Sequence, residues 1–221
     1  MLKQTKKFLK QTFLFDLVWR CRKIKEILRE KAELKKWKKN GELTFPPALY
    51  KKSVINFFAK KYSLKTFIET GTFWGHTVWT MRNKFKKIYS IELSPKLYEY
   101  NKRFFSNYKN VEILHGDSGK ILPELLSKID EPCLFWLDAH YSGEGNSSVK
   151  GDSETPIIQE LQAILNHKIK NHAILIDDAR EFTGKNDYPA LTIIESFIQA
   201  SNPNLNFEVI NDIIRIYKKN I

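Results

Sequence analysis

The chain has 221 residues, 42% of them hydrophobic, two cysteines and a formal net charge of +12. That length allows one ordinary domain with an appendage and a real core. Cys21 and Cys133 give no disulfide framework and point to a reducing compartment, and the lack of any 18-residue apolar run excludes a transmembrane helix.

The charge is unevenly placed. Of the 37 basic and 25 acidic residues, 19 and 5 lie in residues 1–65, so the remaining chain carries 18 against 20. The basic character therefore belongs to the N-terminal part. A near-neutral remainder argues against a nucleic-acid enzyme, whose basic patch surrounds its site. No signal peptide is expected, because the apolar patch from Phe13 to Trp19 is broken by Asp16 and followed by more charge.

Residues 4–39 contain few helix breakers, and Leu17, Cys21, Ile24 and Leu28 recur at helical spacing, which predicts one long amphipathic helix or two shorter ones. This basic extension, residues 1–45, has two readings. Its stripe can pack on the following domain or on a second copy as a homodimer contact. Alternatively, Phe8, Phe13, Phe15, Trp19 and Trp37 among the cations suit an anionic membrane surface or an acidic protein. The expected location is cytoplasmic, with peripheral contact at the inner membrane face. Asn40-Gly41 ends the helix and Pro46-Pro47 marks a linker; residues 46–221 form the second domain. Residues 48–62 read as a helix with Ile55, Phe58 and Ala59 inward.

Lys65 to Thr77 then reads as a short buried strand, a glycine turn at Gly71 to Gly75, and a helix from Thr77 to Phe85. The free N–H groups of a helix start make such a unit a cradle for a cofactor. The G-x-x-x-G spacing is neither the dinucleotide fingerprint nor a P-loop. Lys87 to Glu92 is a second strand ending in a carboxylate. Such a group at the tip of a second strand can accept from both hydroxyls of a ribose. Ser94-Pro95 opens a helix to Phe105. Val111 to Leu114 is a third strand, ending at His115-Gly116-Asp117-Ser118, and Pro123 to Lys128 another helix. Cys133 to Asp138 is an apolar, central strand, followed by a Gly- and Ser-rich segment, 141–154, suited to a lid. Thr155-Pro156 starts a helix to Leu165. Ala173 to Ile176 is a fifth strand, ending in Asp177-Asp178. A helix over Pro189 to Ala200 precedes a closing antiparallel hairpin, Phe207–Ile210 and Ile213–Tyr217, joined at Asn211-Asp212.

All the polar chemistry thus falls on the carboxyl edge of one sheet, where open α/β sheets bind ligands. No lysine or arginine adjoins the glycine loop, so a ligand with a ribose and adenine but no pyrophosphate fits better than NAD or ATP. Asp138, Asp177 and Asp178 bring three carboxylates to neighbouring strand ends. Left alone they repel and raise one another's pKa; a hard divalent ion such as Mg²⁺ resolves that with oxygen ligands. The same three groups also suit capping of the strand-to-helix turns. Glu92 can equally be a solvated strand-end charge, and Asp117 an N-cap.

The stretch Glu69-Thr70-Gly71-Thr72-Phe73-Trp74-Gly75, then Ile91-Glu92-Leu93 and His115-Gly116-Asp117-Ser118, resembles the class I S-adenosylmethionine-dependent methyltransferases. Phe135 to Gly143 and Ile174 to Arg180 resemble more narrowly an uncharacterised bacterial group of such enzymes, itself similar to metal-dependent sugar O-methyltransferases. The resemblance covers about residues 45–221. It implies an α/β, Rossmann-like methyltransferase fold with a seven-stranded, mostly parallel sheet and a C-terminal antiparallel hairpin, here with an N-terminal helical extension. It implies S-adenosylmethionine as cofactor, contacted by Glu69, Thr70, Gly71, Thr72 and Gly75 at the methionine part, by Glu92 at the ribose, by Asp117 and Ser118 at the adenine end, and by Asp138. It implies a metal, Mg²⁺, on Asp138, Asp177 and Asp178, with Asp138 and His140 as the catalytic residues. His140 stands in the place of a general base, a role suited to a neutral imidazole; a structural histidine is the other reading. Arg180 can pair with Asp178 or bind an acidic substrate; pairing with Asp178 is the favoured reading.

The leading expectation is metal-assisted O-methylation of a sugar or other small polar hydroxyl compound. A nucleic-acid methyltransferase is the second reading, disfavoured by the near-neutral domain and by Asp138-Ala139-His140-Tyr141 where an [ND]-P-P-[YF] stretch would stand. The third is a non-catalytic cofactor-binding scaffold that docks through its N-terminal helix.

Overall fold

The computed structural model describes residues 25, 28–139 and 155–219. Most of the expected N-terminal helix before residue 28, with its stripe at Leu17, Cys21 and Ile24, lies outside the described residues, as do His140 and the expected lid at 141–154. The chain divides into two compact units, Met1–Lys51 and Lys52–Ile221. In the first unit residues 28–39 are helical (α1). The helix stops where Gly41 and Glu42 turn left-handed, and the Glu42 N–H returns to the Trp37 carbonyl at 3.1 Å. The Trp37 indole donates to the Thr44 carbonyl at 2.8 Å, and its ring packs on Tyr50. Among the described residues no helix is long and apolar enough to cross a membrane.

The helix α2 (Ala48–Lys61) leads into the second unit. There the strands are β1 (Thr66–Thr70), β2 (Lys87–Glu92), β3 (Val111–His115), β4 (Cys133–Leu137), β5 (Ala173–Ile176), β6 (Leu205–Ile210) and β7 (Ile213–Lys218). The helices are α3 (His76–Met81), α4 (Pro95–Phe105), α5 (Ser118–Ser127), α6 (Ile157–Asn166) and α7 (Leu191–Ser201). One seven-stranded sheet has the order β3-β2-β1-β4-β5-β7-β6. The pairs β1–β2, β2–β3, β1–β4 and β4–β5 are parallel; β5–β7 and β6–β7 are antiparallel. The expected mostly parallel sheet with a closing hairpin is therefore present.

Every residue of β1, β4 and β5 is buried, as expected of strands covered on both faces by crossover helices. On one face Ile68, Phe135, Leu137, Ile174 and Ile176 pack with Leu122 and Leu125 of α5, Leu161 and Ile164 of α6, and Ile194 and Ile198 of α7. The chain winds from β1 to β3 on one side and then crosses to β4 on the other. That reversal opens a crevice above the carboxyl ends of β1 and β4.

Element ends follow local chemistry. Ser94 caps α4, its side chain accepting from the Leu97 N–H, with Pro95 at the first helical position. Asn211 and Asp212, with φ of 50° and 61°, make the two-residue turn of the β6–β7 hairpin, the left-handed pair that a primed turn requires. Two expectations are corrected. The helix after β1 ends at Met81, not Phe85; Thr77, Val78, Trp79 and Thr80 are weak helix formers, and its Gly75 start has no side-chain cap. The helix after β3 begins at Ser118, five residues before Pro123, because the Asp117 side chain accepts from the Gly119 N–H and nucleates it there. Pro123 lies inside that helix rather than at its start.

Candidate active site

The backbone at the crevice is knitted together before any side chain is considered. The Asp138 N–H donates to the Thr70 carbonyl at 3.0 Å, and the Asp177 N–H to the Leu137 carbonyl at 3.1 Å. The parallel ladders thus run past the last residues of β1, β4 and β5 and place Gly71, Asp138 and Asp177 side by side. Gly71 has φ +85°, and a Cβ there would overlap the Asp138 carbonyl, with its carbon only 2.9 Å away. No other residue combines that backbone with that approach. Gly71 and Thr72 donate their N–H groups to the Ile91 carbonyl at 3.0 and 3.2 Å. Gly75, φ +68°, abuts Asn101 Oδ1 and the Phe105 ring.

Glu92 organises the loop between the two glycines. Its Oε2 accepts from the Phe73 N–H and its Oε1 from the Ser94 N–H, both at 2.8 Å. The carboxylate is buried, and burial raises its pKa against the lowering by those two backbone donors. Each oxygen keeps a further lone pair, so Glu92 can hold the loop and still accept from ribose hydroxyls. Phe73 has φ 50°, a strained backbone for a bulky side chain. It is held from its carbonyl side by the Asn101 side-chain amide at 2.6 Å.

Beneath the loop a polar chain runs from Thr72 Oγ1 to Ser90 Oγ at 2.7 Å and from the Ser90 hydroxyl to Glu69 Oε2 at 2.5 Å. Glu69, Ser90 and Thr72 are all buried. Burial pushes the Glu69 carboxyl up to about 8, with Asp138 and Glu92 adding to the rise while Ser90 and Thr77 oppose it. Glu69 is thus a neutral acid at pH 7, beneath the loop rather than lining it as an open charge.

Asp117 caps α5, as one of its two readings anticipated, with Gly119 N–H to Oδ1 at 2.9 Å. Ser118 is buried beside it. The Ser118 and Thr70 hydroxyls both adjoin the Glu160 carboxyl, 1% exposed, which burial pushes up to about 7. Thr70 Oγ1, Ser118 Oγ and Glu160 Oε1 make no hydrogen bond of good geometry.

Asp138, Asp177 and Asp178 come together: one carboxylate oxygen from each lies within 4.8 Å of the others. Successive strand residues point to opposite faces, so two adjacent aspartates normally diverge. Here Asp178 adopts a left-handed conformation, φ 53° and ψ 52°, and the chain folds back so that both join Asp138. Asp177 Oδ1 accepts the Asp178 N–H at 2.8 Å. Arg180 donates to Asp178 Oδ1 at 2.9 Å, as the sequence reading expected. Oxygen ligands of Mg²⁺ sit at about 2.1 Å, hence about 3 Å apart in cis and about 4.2 Å in trans. A spread of up to 4.8 Å needs only small side-chain rotations to meet that, so the donor set fits a hard divalent ion. The three aspartates line one small cavity with Leu137, Glu160 and Tyr188.

The structure therefore gathers Thr70, Gly71, Thr72, Gly75 and Glu92 around one loop, Asp117 with Ser118 at the next strand end, and Asp138, Asp177 and Asp178 at the switch. His140 lies outside the described residues. The sequence reading missed Ser90, Asn101, Glu160 and Asp212. Ser90 and Asn101 carry a usable signal, a polar residue on an inward position of a strand or helix. Glu160 and Asp212 carry none, because their partners are remote in the chain.

No protein-family model matches the sequence, and no curated protein matches it. Solved structures do. The O-methyltransferase TomG of Streptomyces achromogenes, involved in tomaymycin synthesis and solved with S-adenosylmethionine, matches at 12% identity and TM-score 0.58, over 86% of this chain and 89% of that one. An O-methyltransferase of Bacillus cereus solved with S-adenosylhomocysteine matches at 13% identity and TM-score 0.54, over 85% and 90%. The methyltransferase PaMTH1 of Podospora anserina, also with S-adenosylhomocysteine, matches at 20% identity and TM-score 0.53, over 77% and 78%. The fold is that of the class I S-adenosylmethionine-dependent methyltransferases.

Proposed function

We propose that this protein is an S-adenosylmethionine-dependent methyltransferase that methylates a hydroxyl of a sugar or other small polar acceptor with the help of a divalent cation such as Mg²⁺. The observation that carries the reading is the meeting, at one switch point, of the glycine loop held by Glu92 and the three carboxylates of Asp138, Asp177 and Asp178. Neighbours of this fold solved with S-adenosylmethionine or its demethylated product, O-methyltransferases among them, support the same reading.

Bound S-adenosylmethionine supplies a methyl group on a positively charged sulfur; a divalent ion supplies a fixed charge that favours the alkoxide of the acceptor. The chain's own part is binding, orientation and one proton transfer. The Gly71 loop lets its backbone approach the methionine end, Glu92 accepts from the ribose, and Asp117 with Ser118 meets the adenine. Asp138, Asp177 and Asp178 hold the ion. His140 would take the acceptor hydroxyl proton, readying the oxygen for the methyl group that bound S-adenosylmethionine would supply, with the carbon–sulfur electron pair left on sulfur. Positioning and preorganised charge supply most of the rate.

Isothermal titration calorimetry of the full chain with S-adenosylmethionine, with and without Mg²⁺, tests this. Cofactor heat, together with a separate Mg²⁺ heat lost in Asp177→Ala, is the expected result. Absence of cofactor heat under both conditions overturns the methyltransferase reading and favours a scaffold.

A further inference from the structure

The acidic cluster has a cation of its own close by. Arg180 Nη1 donates to Asp178 Oδ1 at 2.9 Å, and the same nitrogen is bonded to Asp212 Oδ2. Asp212 also takes the Arg180 backbone N–H on Oδ1 at 2.8 Å, and its carbonyl takes the Ala179 N–H at 3.0 Å. Asp212 lies in the β6–β7 turn, at the far end of the chain from the glycine loop. Through these bonds the hairpin turn is fastened to the segment that carries Asp178. The side chains of Asp178 and Asp212 are only 13% and 10% exposed, so these pairs are screened less than ordinary surface ion pairs.

A second, independent feature points into the same cavity. Glu160 lines it with Asp138, Asp177 and Asp178, is 1% exposed, and makes no hydrogen bond of good geometry at Oε1, with only the Ser118 and Thr70 hydroxyls beside its carboxyl. A buried carboxyl oxygen this poorly satisfied, lining the same cavity as three aspartates, leaves that cavity short of a cation.

A divalent ion and the Arg180 guanidinium compete for one carboxylate. Arg180 Nε also lies 3.3 Å from Glu181 Oε1, but that carboxylate is 47% exposed, so it is well screened and holds the guanidinium weakly. With the less exposed Asp212 on the other side, the guanidinium keeps a strong carboxylate partner when Asp178 turns to the ion. We propose that Arg180 is a built-in counter-ion of the divalent-cation site, and that Asp212, by sharing it, sets how readily Asp178 becomes available to the ion. Asp212 is then a positioning residue that acts through Arg180. This rests on the cation reading given above.

The test is Mg²⁺ calorimetry on the full chain, with Mn²⁺ binding by electron paramagnetic resonance as a second readout. Asp212→Asn preserves the left-handed backbone that position needs, φ 61°, so the turn is retained. It is expected to weaken the ion about tenfold, the scale on which outer partners of metal ligands act. Arg180→Gln is expected to tighten it severalfold. In the double variant the Asp212 effect disappears, because the group it restrains is gone. An Asp212→Asn loss that persists in the Arg180→Gln background, or an Arg180→Gln variant that binds more weakly than the parent, overturns the proposal while leaving the cation site standing. No Mg²⁺ or Mn²⁺ binding by the parent chain overturns the cation site itself, and the proposal with it.

Discussion

Glu69 sits beneath the glycine loop with its carboxyl on Ser90 and no route to bulk water. Its pKa, raised to about 8 from an ordinary 4.5, gives a signed prediction. Between those two values the folded protein keeps a proton that the unfolded chain releases, so folding stability falls as pH rises through that window. Chemical denaturation at a series of pH values is expected to show that decline in the parent chain and not in Glu69→Gln. At the opposite edge of the sheet, the buried His172 gives the reverse slope. The Cys133 N–H donates to His172 Nδ1 at 3.0 Å, so the His172 proton sits on Nε2 and is shared with His167 Nδ1 at 2.9 Å, while His167 Nε2 serves the Ile129 carbonyl at 3.0 Å. Every ring nitrogen of the pair has a hydrogen-bond partner. Burial, then the neighbouring His167, pushes His172 down to about 4. Stability from the neutral His172 ring is fully present above its free value near 6.5 and is lost as pH falls from there toward 4. The charged groups around the pair are Asp130, bonded to Lys168, and Lys170. Thermal unfolding between pH 7 and pH 4 is expected to show this loss, and His172→Gln to reduce it.

At the scale of elements, the loop from Gly71 to Gly75 is a rigid part rather than a flexible one. Gly71 packs against the end of β4, Phe73 is pinned by Glu92 and Asn101, and Gly75 fits against α4. Gly71→Ala combines a left-handed alanine, about 1–2 kcal/mol, with overlap of the Asp138 carbonyl. The expected cost is at least about 2 kcal/mol, or roughly 4–8 °C in melting temperature for a chain of this size, with cofactor binding lost. A melting temperature within a degree of the parent would show that the loop yields. Local signals marked the elements with caps of their own well: Ser94-Pro95 for α4, Asn211-Asp212 for the hairpin turn. They misled at Pro123, because a proline suits a helix start but is tolerated within one when Asp117 has already nucleated the turn upstream.

For the whole molecule, ligand binding and folding are one equilibrium. S-Adenosylhomocysteine at a hundredfold excess over its dissociation constant is expected to add about 2.7 kcal/mol of stability, a rise of roughly 5–10 °C. NAD, whose pyrophosphate meets no lysine or arginine in the loop sequence from Glu69 to Gly75, is expected to leave the melting temperature unchanged. Differential scanning fluorimetry reads both, and a larger shift with NAD would redirect the cofactor assignment.

The sequence by itself determined the order of strands and helices, the burial of β1, β4 and β5, and the edge on which Glu92, Asp117, Asp138, Asp177 and Asp178 stand. Those follow from apolar runs, turn residues and the alternation of strands with helices, which are local or topological rules. Only the tertiary structure decided that Asp177 and Asp178 point the same way, through one left-handed residue. It alone decided that Glu69 is a buried neutral acid, that Glu160 lines the cavity of the aspartates, and that Arg180 is shared by Asp178, Asp212 and the more exposed Glu181. Each of those depends on contacts between residues far apart in the chain, and on a desolvation that no single stretch of sequence expresses.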